Sequence, residues 1–301
     1  KKWISIIICI LILIIDIRCY GMPSVSAQSA ILVEKNSARV LFEKSADKIM
    51  PMASTTKIIT AITVIEKDGI NLDEVVEISE NAAGVEGSSM YLEKGEKLTI
   101  RELLYGLMLS SGNDAAVALS EAVSGSEEEF VNLMNEKVTE IGAMSTHLTN
   151  PNGLPDDSHY STARDMARIT SYAMKDVTFS EIVKTKTYKI EGEGKAYPRT
   201  LSNHNKLLSM YEGCCGVKTG FTKAAGRCLV SSTEREGMNL ICVTLNASDD
   251  WNDHMKLYDY GYEKYEYKKL VSRDVPICSA RVFPMPMQLA LTSCVPTVSP
   301  A

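Results

Sequence analysis

The chain has 301 residues, of which 45% are hydrophobic and 23% are charged, and its formal net charge is −6. This composition is typical of a globular protein and leaves room for one sizeable domain. No basic run is present, so the sequence gives no indication of nucleic-acid binding.

The first 27 residues have the three parts of a secretory signal. Two lysines begin the chain, Ile4–Ile15 is almost wholly apolar, and Val25-Ser26-Ala27 is a small-x-small cleavage pattern. The apolar run is short for a membrane span of about 20 residues. We therefore expect residues 1–27 to be a signal peptide cleaved after Ala27. The protein would then be secreted across the cytoplasmic membrane to the extracellular or cell-wall face. An uncut membrane anchor is the alternative.

Six cysteines remain after that segment: Cys214, Cys215, Cys228, Cys242, Cys278 and Cys294. A secreted protein could pair them. However, Cys228 and Cys242 lie in apolar, strand-like runs, where a free cysteine behaves as a small core residue. We expect no essential disulfide, no zinc site and no cofactor.

The next 40 residues predict a hairpin and a helix. Two short apolar runs within Ser29–Phe42 are separated by Asn36-Ser37, which is typical of a hairpin. A helix with an isoleucine stripe is expected from near Ser54 to about Lys67, and Gly69 can end it.

Capping patterns then predict four further helices. Their signals are Thr99 with Glu102, Asn113-Asp114 before a helix over Ala115–Val123, Ser126 with Glu129 for a helix ended by Gly142, and Thr162 with Asp165.

After about residue 185 the sequence becomes strand-like. The expected strands are Tyr188–Ile190, Gly216–Thr219, Cys228–Ser232 and Leu240–Leu245, followed by a helix over Trp251–Tyr265. Strands at both ends therefore flank a block of helices. This order predicts an α/β fold in which the strands join in one antiparallel sheet, flanked by helices and with a helical insert.

Three short motifs carry the candidate chemistry. In the first, Ser54-Thr55-Thr56-Lys57, a serine at a helix start precedes a lysine on the same helix face. The lysine can accept the serine proton if burial lowers its pKa. An N-cap serine and a solvated lysine are the alternative for this motif alone.

The other two motifs are Ser111-Gly112-Asn113, between two helices, and Lys218-Thr219-Gly220, on a strand. The hydroxyl and amide of the Ser111 motif can relay a proton and hold a substrate backbone. In the Lys218 motif, the lysine and the threonine hydroxyl can hold a carboxylate, and the glycine lets a ligand lie against the strand. Each motif alone is common, but the order S-x-x-K, S-x-N, K-T-G is the signature of penicillin-binding proteins and class A β-lactamases.

Longer segments extend the resemblance. The chain resembles the low-molecular-weight penicillin-binding proteins of the S11 peptidase family, which are serine-type D-Ala-D-Ala carboxypeptidases. The segments that carry the likeness are residues 51–57, 109–116, 149–155, 203–208 and 216–222.

The resemblance implies a β-lactamase/transpeptidase-like fold, peptidoglycan stem peptides as substrates and β-lactam antibiotics as inhibitors. Ser54 would be the nucleophile, Lys57 its proton acceptor and Ser111 a proton relay. Asn113 would position the substrate, and Lys218, Thr219 and Gly220 would bind its end. The oxyanion hole would be the N–H groups of Ser54 and of a residue just after Gly220, taken as Thr222.

The C-terminal part departs from the family pattern. We assign residues 28–267 to the catalytic domain and residues 268–301 to a truncated start of a further domain or to an unrelated tail. Phe283–Ala301 has no charge and four prolines. It therefore gives no evidence of a C-terminal membrane anchor.

Two alternatives stay open at this point. A β-lactamase would need an E-x-x-L-N sequence for its deacylating water, and none lies between Ser111 and Lys218. A catalytically inactive protein on the same fold is disfavoured because all three motifs are intact.

Overall fold

A five-stranded antiparallel sheet is the centre of the molecule, whose computed structural model describes residues 22–192, 197–268 and 298–300. The strands in chain order are β1 (Ser29–Glu34), β2 (Val40–Lys44), β3 (Val75–Glu77), β4 (Lys97–Thr99), β5 (Thr187–Ile190), β6 (Arg199–Ser202), β7 (Cys214–Thr222), β8 (Gly226–Arg235), β9 (Met238–Ala247), β10 (Tyr265–Tyr267) and β11 (Val298–Pro300). The central sheet has the order β2-β1-β9-β8-β7, so β7 is an edge strand.

Helices cover both faces of this sheet. In chain order they are α1 (Lys57–Ile65), α2 (Ile100–Leu109), α3 (Asn113–Ser124), α4 (Glu127–Ile141), α5 (Ala163–Ala173), α6 (Val177–Lys184), α7 (Leu207–Met210) and α8 (Asp250–Lys264). Helix α5 packs on β1 and β9 from one side, and α8 packs on the same strands and β8 from the other.

Alternation along the strands builds two cores, because successive side chains point to opposite faces of a sheet. Ile31 and Val33 of β1 join the larger core, which contains α1–α6. Ala30 and Leu32 join the smaller core beneath α8. The predicted fold class is therefore confirmed: an antiparallel sheet flanked by helices, with the helical insert between β2 and β7.

The predicted helix caps on α2, α4 and α5 are also present. Thr99 and Glu102 form a reciprocal capping box at α2. Ser126 accepts a hydrogen bond from the Glu129 N–H at α4, and Thr162 accepts one from the Asp165 N–H at α5.

The cap predicted for α3 is wrong. Gly112 is its N-cap, without a side-chain hydrogen bond, and Asn113 is the first helical residue. The amide of Asn113 is directed elsewhere, as described below.

One strand also lies outside the expected sheet. The strand predicted over Tyr188–Ile190 forms a separate hairpin with β6. Helices α6 and α7 and strands β3, β4, β6, β10 and β11 were not predicted. The prediction that Cys228 and Cys242 are core residues is confirmed, since both side chains are fully buried. Cys278 and Cys294 lie outside the described residues.

The predicted cleavage site falls in a packed segment. Ala27 is fully buried, and the carboxylate of Asp253 on α8 accepts hydrogen bonds from the Ser26 N–H (2.9 Å), the Ser26 hydroxyl (2.7 Å) and the Ala27 N–H (3.0 Å). Lys44 Nζ donates to the carbonyls of Val25 and Ala27. Residues 25–27 are therefore part of the folded domain, and residues 1–21 lie outside the described part of the chain.

The tail assigned to residues 268–301 lies mostly outside the described residues. Its last described piece, β11, pairs with β10. Within the described ranges, no helix has the length and apolar character that crossing a membrane requires. The same ranges contain no cluster of three or more His, Cys, Asp or Glu side chains that could hold a metal ion.

Candidate active site

The predicted nucleophile lies in a single 3-10 turn, Ala53–Thr56, that leads directly into α1. Two hydroxyls close this turn: Thr55 donates to the Met52 carbonyl at 2.7 Å, and Thr56 donates to the Ala53 carbonyl at 2.8 Å. Ser54 is the member of the turn that is not buried. The serine hydroxyl is therefore presented to solvent from a rigid turn at the start of a helix.

Lys57 is fully buried behind the serine and contacts three oxygen atoms. Its Nζ donates to Asn113 Oδ1 at 2.7 Å and to the Asn152 carbonyl at 2.6 Å, and it lies within hydrogen-bond distance of Ser54 Oγ, at 3.2 Å. Burial lowers the pKa of Lys57 well below its usual value, the positive charge of Lys218 lowers it further, and Asp114 acts in the opposite direction. Burial and the charge of Lys218 therefore favour the neutral amine form of the Lys57 side chain.

Asn113, the first residue of α3, links Lys57 to the loop that contains Glu86 and Ser88. Its Nδ2 donates to the Glu86 carbonyl at 2.7 Å, and its backbone N–H donates to the Ser88 carbonyl at 2.7 Å. With Oδ1 on Lys57, the orientation of the amide is fixed on both sides. Ser111, two residues earlier, is 4% exposed and has a φ of 60°. The proton-relay role of its hydroxyl stays a prediction.

Strand β7 forms the opposite wall of the cleft. Gly220 lies against the nucleophile turn, and a Cβ there would come within 3.0 Å of the Ser54 nitrogen and 3.1 Å of the Thr55 nitrogen. The predicted space for a ligand at this glycine is therefore taken by the turn. Lys218 shares this face of the strand and is 1% exposed. Burial lowers the pKa of Lys218 to about 7, and its Nζ donates to the Thr219 carbonyl at 2.8 Å.

The sequence predicted that the backbone N–H of Thr222 would be the second donor of the oxyanion hole, and the structure does not support this. Its hydroxyl accepts a hydrogen bond from the Ala225 N–H at 3.0 Å, which closes the turn between β7 and β8. The strand register bears on the backbone N–H of Thr222, because N–H groups alternate sides along an antiparallel strand.

The direction of these N–H groups can be read from β8. The Glu234 N–H donates to the Gly213 carbonyl, so it points from β8 towards the chain that enters β7. The N–H of Cys228, six residues away along β8, points the same way, and its partner Gly220 therefore directs its own N–H back at β8, as does Thr222 two residues further on. The N–H of Phe221 consequently faces the open edge. Phe221, and not Thr222, meets the requirement for an oxyanion donor.

The segment 149–155 supplies a contact that the sequence did not assign to any residue. Its Asn152 carbonyl accepts one of the hydrogen bonds from Lys57, and its Pro151 carbonyl accepts from Thr60 Oγ1 at 2.6 Å. Gly153 has a φ of +85°, and a Cβ there would lie 2.1 Å from the Ala53 carbonyl oxygen. The loop therefore packs on the nucleophile turn in a way that requires glycine.

His159, also unassigned from the sequence, secures this loop. The Thr149 N–H donates to His159 Nδ1 at 3.0 Å, so Nε2 carries the hydrogen and donates to Thr56 Oγ1 at 2.8 Å. Burial lowers the pKa of His159 to about 4, which keeps the ring neutral near pH 7. Neither residue 152 nor residue 159 belongs to the three motifs.

The structure thus assembles most of the predicted site. Ser54, Lys57 and Asn113 are joined by direct hydrogen bonds, and β7 brings Lys218 and Gly220 to the other side of the same turn.

Comparisons with known proteins agree with this arrangement. The family described as D-alanyl-D-alanine carboxypeptidase, peptidase S11, matches residues 18–249. The D-alanyl-D-alanine carboxypeptidase DacF of Bacillus subtilis is 37% identical over 263 residues, which are 85% of this chain and 67% of that protein. The D-alanyl-D-alanine carboxypeptidase of Streptomyces sp. strain K15 is 37% identical over 80% of this chain and 88% of that protein.

Solved structures show the same relationship. The Streptomyces K15 DD-transpeptidase is similar with a TM-score of 0.77 and 34% identity, covering 80% of this chain and 99% of that one. A D-alanyl-D-alanine carboxypeptidase from Mycobacterium tuberculosis is similar with a TM-score of 0.75 and 30% identity, over 82% and 94% of the two chains. The chain therefore belongs to the S11 family of D-alanyl-D-alanine carboxypeptidases.

Proposed function

We propose that this protein is a serine D-Ala-D-Ala carboxypeptidase that removes the terminal D-Ala from peptidoglycan stem peptides through an acyl-enzyme on Ser54. The observation that carries the proposal is the environment of Lys57. A neutral amine has two N–H groups and one lone pair. The two shorter contacts, to Asn113 and Asn152, use both N–H groups, which leaves the lone pair directed at Ser54 Oγ.

This geometry makes Lys57 the general base for acylation. Ser54 Oγ attacks the carbonyl carbon of the penultimate D-Ala, and its proton passes to Lys57 Nζ. The proton then reaches the nitrogen of the terminal D-Ala, with Ser111 as the relay, and free D-Ala leaves as the C–N bond breaks. Water, activated by the same lysine, hydrolyses the ester and restores the serine.

Strand β7, the opposite wall of the cleft, supplies the groups that recognise the negative charge of the substrate. Lys218 and Thr219 bind the terminal carboxylate, since charge-assisted hydrogen bonds are roughly twice as strong as neutral ones. The oxyanion that forms on the attacked carbonyl accepts from the backbone N–H groups of Ser54 and Phe221. Gly220 supports this arrangement by letting the strand approach the Ser54 turn.

The same acyl-enzyme explains why β-lactams should inhibit the protein, because they acylate the serine and leave slowly. An amine is worth testing beside water as a second acceptor of the acyl group, since the Streptomyces K15 protein is described both as a carboxypeptidase and as a DD-transpeptidase. Transfer of the acyl group to an added amine, measured beside hydrolysis, would show how the intermediate is divided between water and amine.

The location proposed for this activity is the cell-wall side of the cytoplasmic membrane, where its substrate lies. The secretory pattern of the N-terminal residues supports export, and the family supports a role in cell-wall biogenesis.

The test uses diacetyl-Lys-D-Ala-D-Ala and a fluorescent penicillin. We expect release of D-Ala, and penicillin mass on the peptide that contains Ser54. Ser54→Ala should abolish both, whereas Ser209→Ala, at an exposed serine on α7, should change neither. Penicillin bound to another residue would contradict the assignment of the nucleophile. Labelling without any D-Ala release would contradict the carboxypeptidase activity and favour an inactive penicillin-binding protein.

A further inference from the structure

The loop from Glu86 to Leu92 carries two side chains that the reaction above does not use. Glu86 is exposed, and Tyr91 has 83% of its surface exposed. A carboxylate and an aromatic ring presented on the same short loop can together bind an alkylammonium group, through an ion pair and a cation–π contact.

The position of this loop is tied to the catalytic residues. The Glu86 carbonyl accepts from Asn113 Nδ2, Asn113 Oδ1 accepts from Lys57, and Lys57 Nζ is hydrogen-bonded to Ser54 Oγ. Three hydrogen bonds of about 3 Å thus connect Glu86 to the nucleophile, which places its backbone on the order of 10 Å from the reacting hydroxyl.

Tyr91 is held in place by a buried carboxylate. The N–H groups of the residues on each side, Met90 and Leu92, donate to Asp114 at 3.1 and 3.0 Å, and the Tyr91 N–H donates to Ser89 Oγ at 2.7 Å. Tyr91 itself has a φ of 62°, which is unfavourable for a residue other than glycine. The hydrogen bonds therefore hold a strained backbone that directs the ring outward.

The substrate has a matching group at a suitable distance. In a lysine-containing stem peptide, the lysine precedes the D-Ala-D-Ala pair, so only the penultimate D-Ala separates it from the scissile bond, and its Cα lies about 5 Å from the attacked carbonyl carbon. Its long side chain ends in an ammonium group unless that amine is acylated or cross-linked.

We propose that Glu86 and Tyr91 bind the free side-chain ammonium of the diamino acid that precedes D-Ala-D-Ala. The site then favours stem peptides whose amine has not been acylated. This inference rests on the proposed carboxypeptidase function and adds a specificity determinant to it.

Two peptides that differ by one acetyl group test the proposal. The first is Nα-acetyl-Lys-D-Ala-D-Ala, with a free side-chain amine, and the second is the Nα,Nε-diacetyl peptide. We expect kcat/KM for D-Ala release to be about fivefold higher for the free amine, as two exposed contacts of this kind would give. The difference should lie in KM and should decrease with added salt.

Variants then assign the preference to the two residues. Glu86→Gln and Tyr91→Ala should each reduce it while leaving kcat/KM for the diacetyl peptide unchanged. Glu128→Gln, at an exposed glutamate on α4, and Met144→Ala, at an exposed methionine, should leave it intact.

The outcomes separate this inference from the proposed function. Equal kcat/KM values for the two peptides in the unmodified protein would overturn the inference and leave the carboxypeptidase activity standing. Variants that lose activity equally on both peptides would also overturn it, because they would show a structural role for the loop. If neither peptide releases D-Ala, the proposed function itself is wrong and the inference falls with it.

Discussion

Lys57 and Lys218 lie buried in one cleft, and their proposed roles require opposite charge states. Lys57 must be neutral to accept the serine proton, whereas Lys218 must be charged to bind a carboxylate. Burial lowers the pKa of both groups. The free protein therefore has a limited pH range in which both requirements are met, and activity against pH should be bell-shaped.

The alkaline side of that profile is assigned to Lys218. Its folded-state pKa of about 7 means that the charged form is present below this pH and is lost above it, so kcat/KM should fall as pH rises through about 7. The alkaline fall in kcat should lie at higher pH, because a bound carboxylate stabilises the ammonium form. Steady-state kinetics across pH 5–10 check both limbs, and coinciding limbs for kcat and kcat/KM would contradict this assignment.

Substitution of Lys218 separates charge from packing. Lys218→Gln should lower kcat/KM about tenfold to a hundredfold, the effect of leaving a carboxylate poorly paired in a desolvated cleft. Lys218→Arg keeps the charge at all accessible pH values, so whatever activity it retains should show no alkaline fall near pH 7. A fall that persists in the arginine variant would assign the titration to another group.

What the sequence could predict differs between residue types. The side chains of Ser54, Lys57 and Lys218 carry their chemistry in their identity, so short motifs were enough to find them. Asn152 acts through its backbone carbonyl, which every residue possesses, and only the fold shows where that carbonyl points. The error at Thr222 has a related cause: the direction of a strand N–H depends on register, which composition does not reveal.

At the scale of elements, local signals predicted local structure well. Capping pairs such as Thr99 with Glu102 act within one turn and were read correctly. Helix α6 was missed although Asp176 accepts from the Phe179 N–H at its start, a signal that the sequence did contain. The hairpin of β5 and β6 could not be separated from the central sheet, because strand pairing is a long-range property.

The loop 149–155 should be sensitive to one added methyl group. In Gly153→Ala, the new Cβ would lie 2.1 Å from the Ala53 carbonyl oxygen at a φ that disfavours alanine. We expect a loss of about 1–3 kcal/mol in the free energy of unfolding, and slower penicillin acylation because the Asn152 carbonyl would move from Lys57. Urea unfolding and acylation kinetics measure the two effects.

Another glycine provides the control for this substitution. Gly125 also has a positive φ, at the end of α3, but a Cβ there would meet nothing within 4 Å. Gly125→Ala should therefore cost stability without slowing acylation. Equal acylation rates in Gly153→Ala and the unmodified protein would contradict the role given to the loop.

The N-terminal segment gives a second prediction for an element. A protein beginning at Gln28 would leave the buried Asp253 carboxylate without the three donors that Ser26 and Ala27 provide. Compared with a protein beginning at Pro23, we expect its free energy of unfolding to be lower by about 1–3 kcal/mol. If this segment is needed, processing at a site upstream of Val25 is favoured over cleavage after Ala27.

A double-mutant cycle isolates the contact with Asp253. Asp253→Asn should destabilise the longer protein more than the shorter one, because the shorter one has already lost the donors. Identical effects in both proteins would show that residues 25–27 do not stabilise the domain through this carboxylate. N-terminal analysis of the exported protein would then identify the cleavage site directly.

At the scale of the whole molecule, buried histidines connect the layers of the fold. His254 of α8 is fully buried; its Nδ1 lies 2.6 Å from Ser231 Oγ on β8 and its Nε2 lies 2.9 Å from Thr244 Oγ1 on β9. His159 performs the corresponding role on the catalytic side, between its loop and Thr56. Both rings are held neutral, since burial lowers the pKa of His254 to about 3 and that of His159 to about 4.

These two groups should make the folded domain sensitive to acid. Their folded-state pKa values lie below the unfolded value of about 6.5, so the unfolded chain binds more protons, and stability falls as the pH decreases below about 6.5. Between about pH 6 and pH 4 these two rings should contribute up to about 2.7 kcal/mol per pH unit, because each contributes at most about 1.4 kcal/mol per unit. The contribution of His159 decreases near pH 4, where its folded form also titrates. Burial lowers the pKa of His204 as well, so that ring adds to the slope. Urea unfolding at a series of pH values measures this slope.

Substitution at each histidine shows whether it is the source of the acid sensitivity. His254→Gln and His159→Gln should each be less stable than the unmodified protein at pH 7, because their hydrogen bonds are disturbed. Each should also lose up to about 1.4 kcal/mol per pH unit of the slope between pH 6 and pH 4, since one titrating ring is gone. If both variants keep the full slope, the acid sensitivity arises from other groups, and the two histidines link the layers of the fold by hydrogen bonding alone.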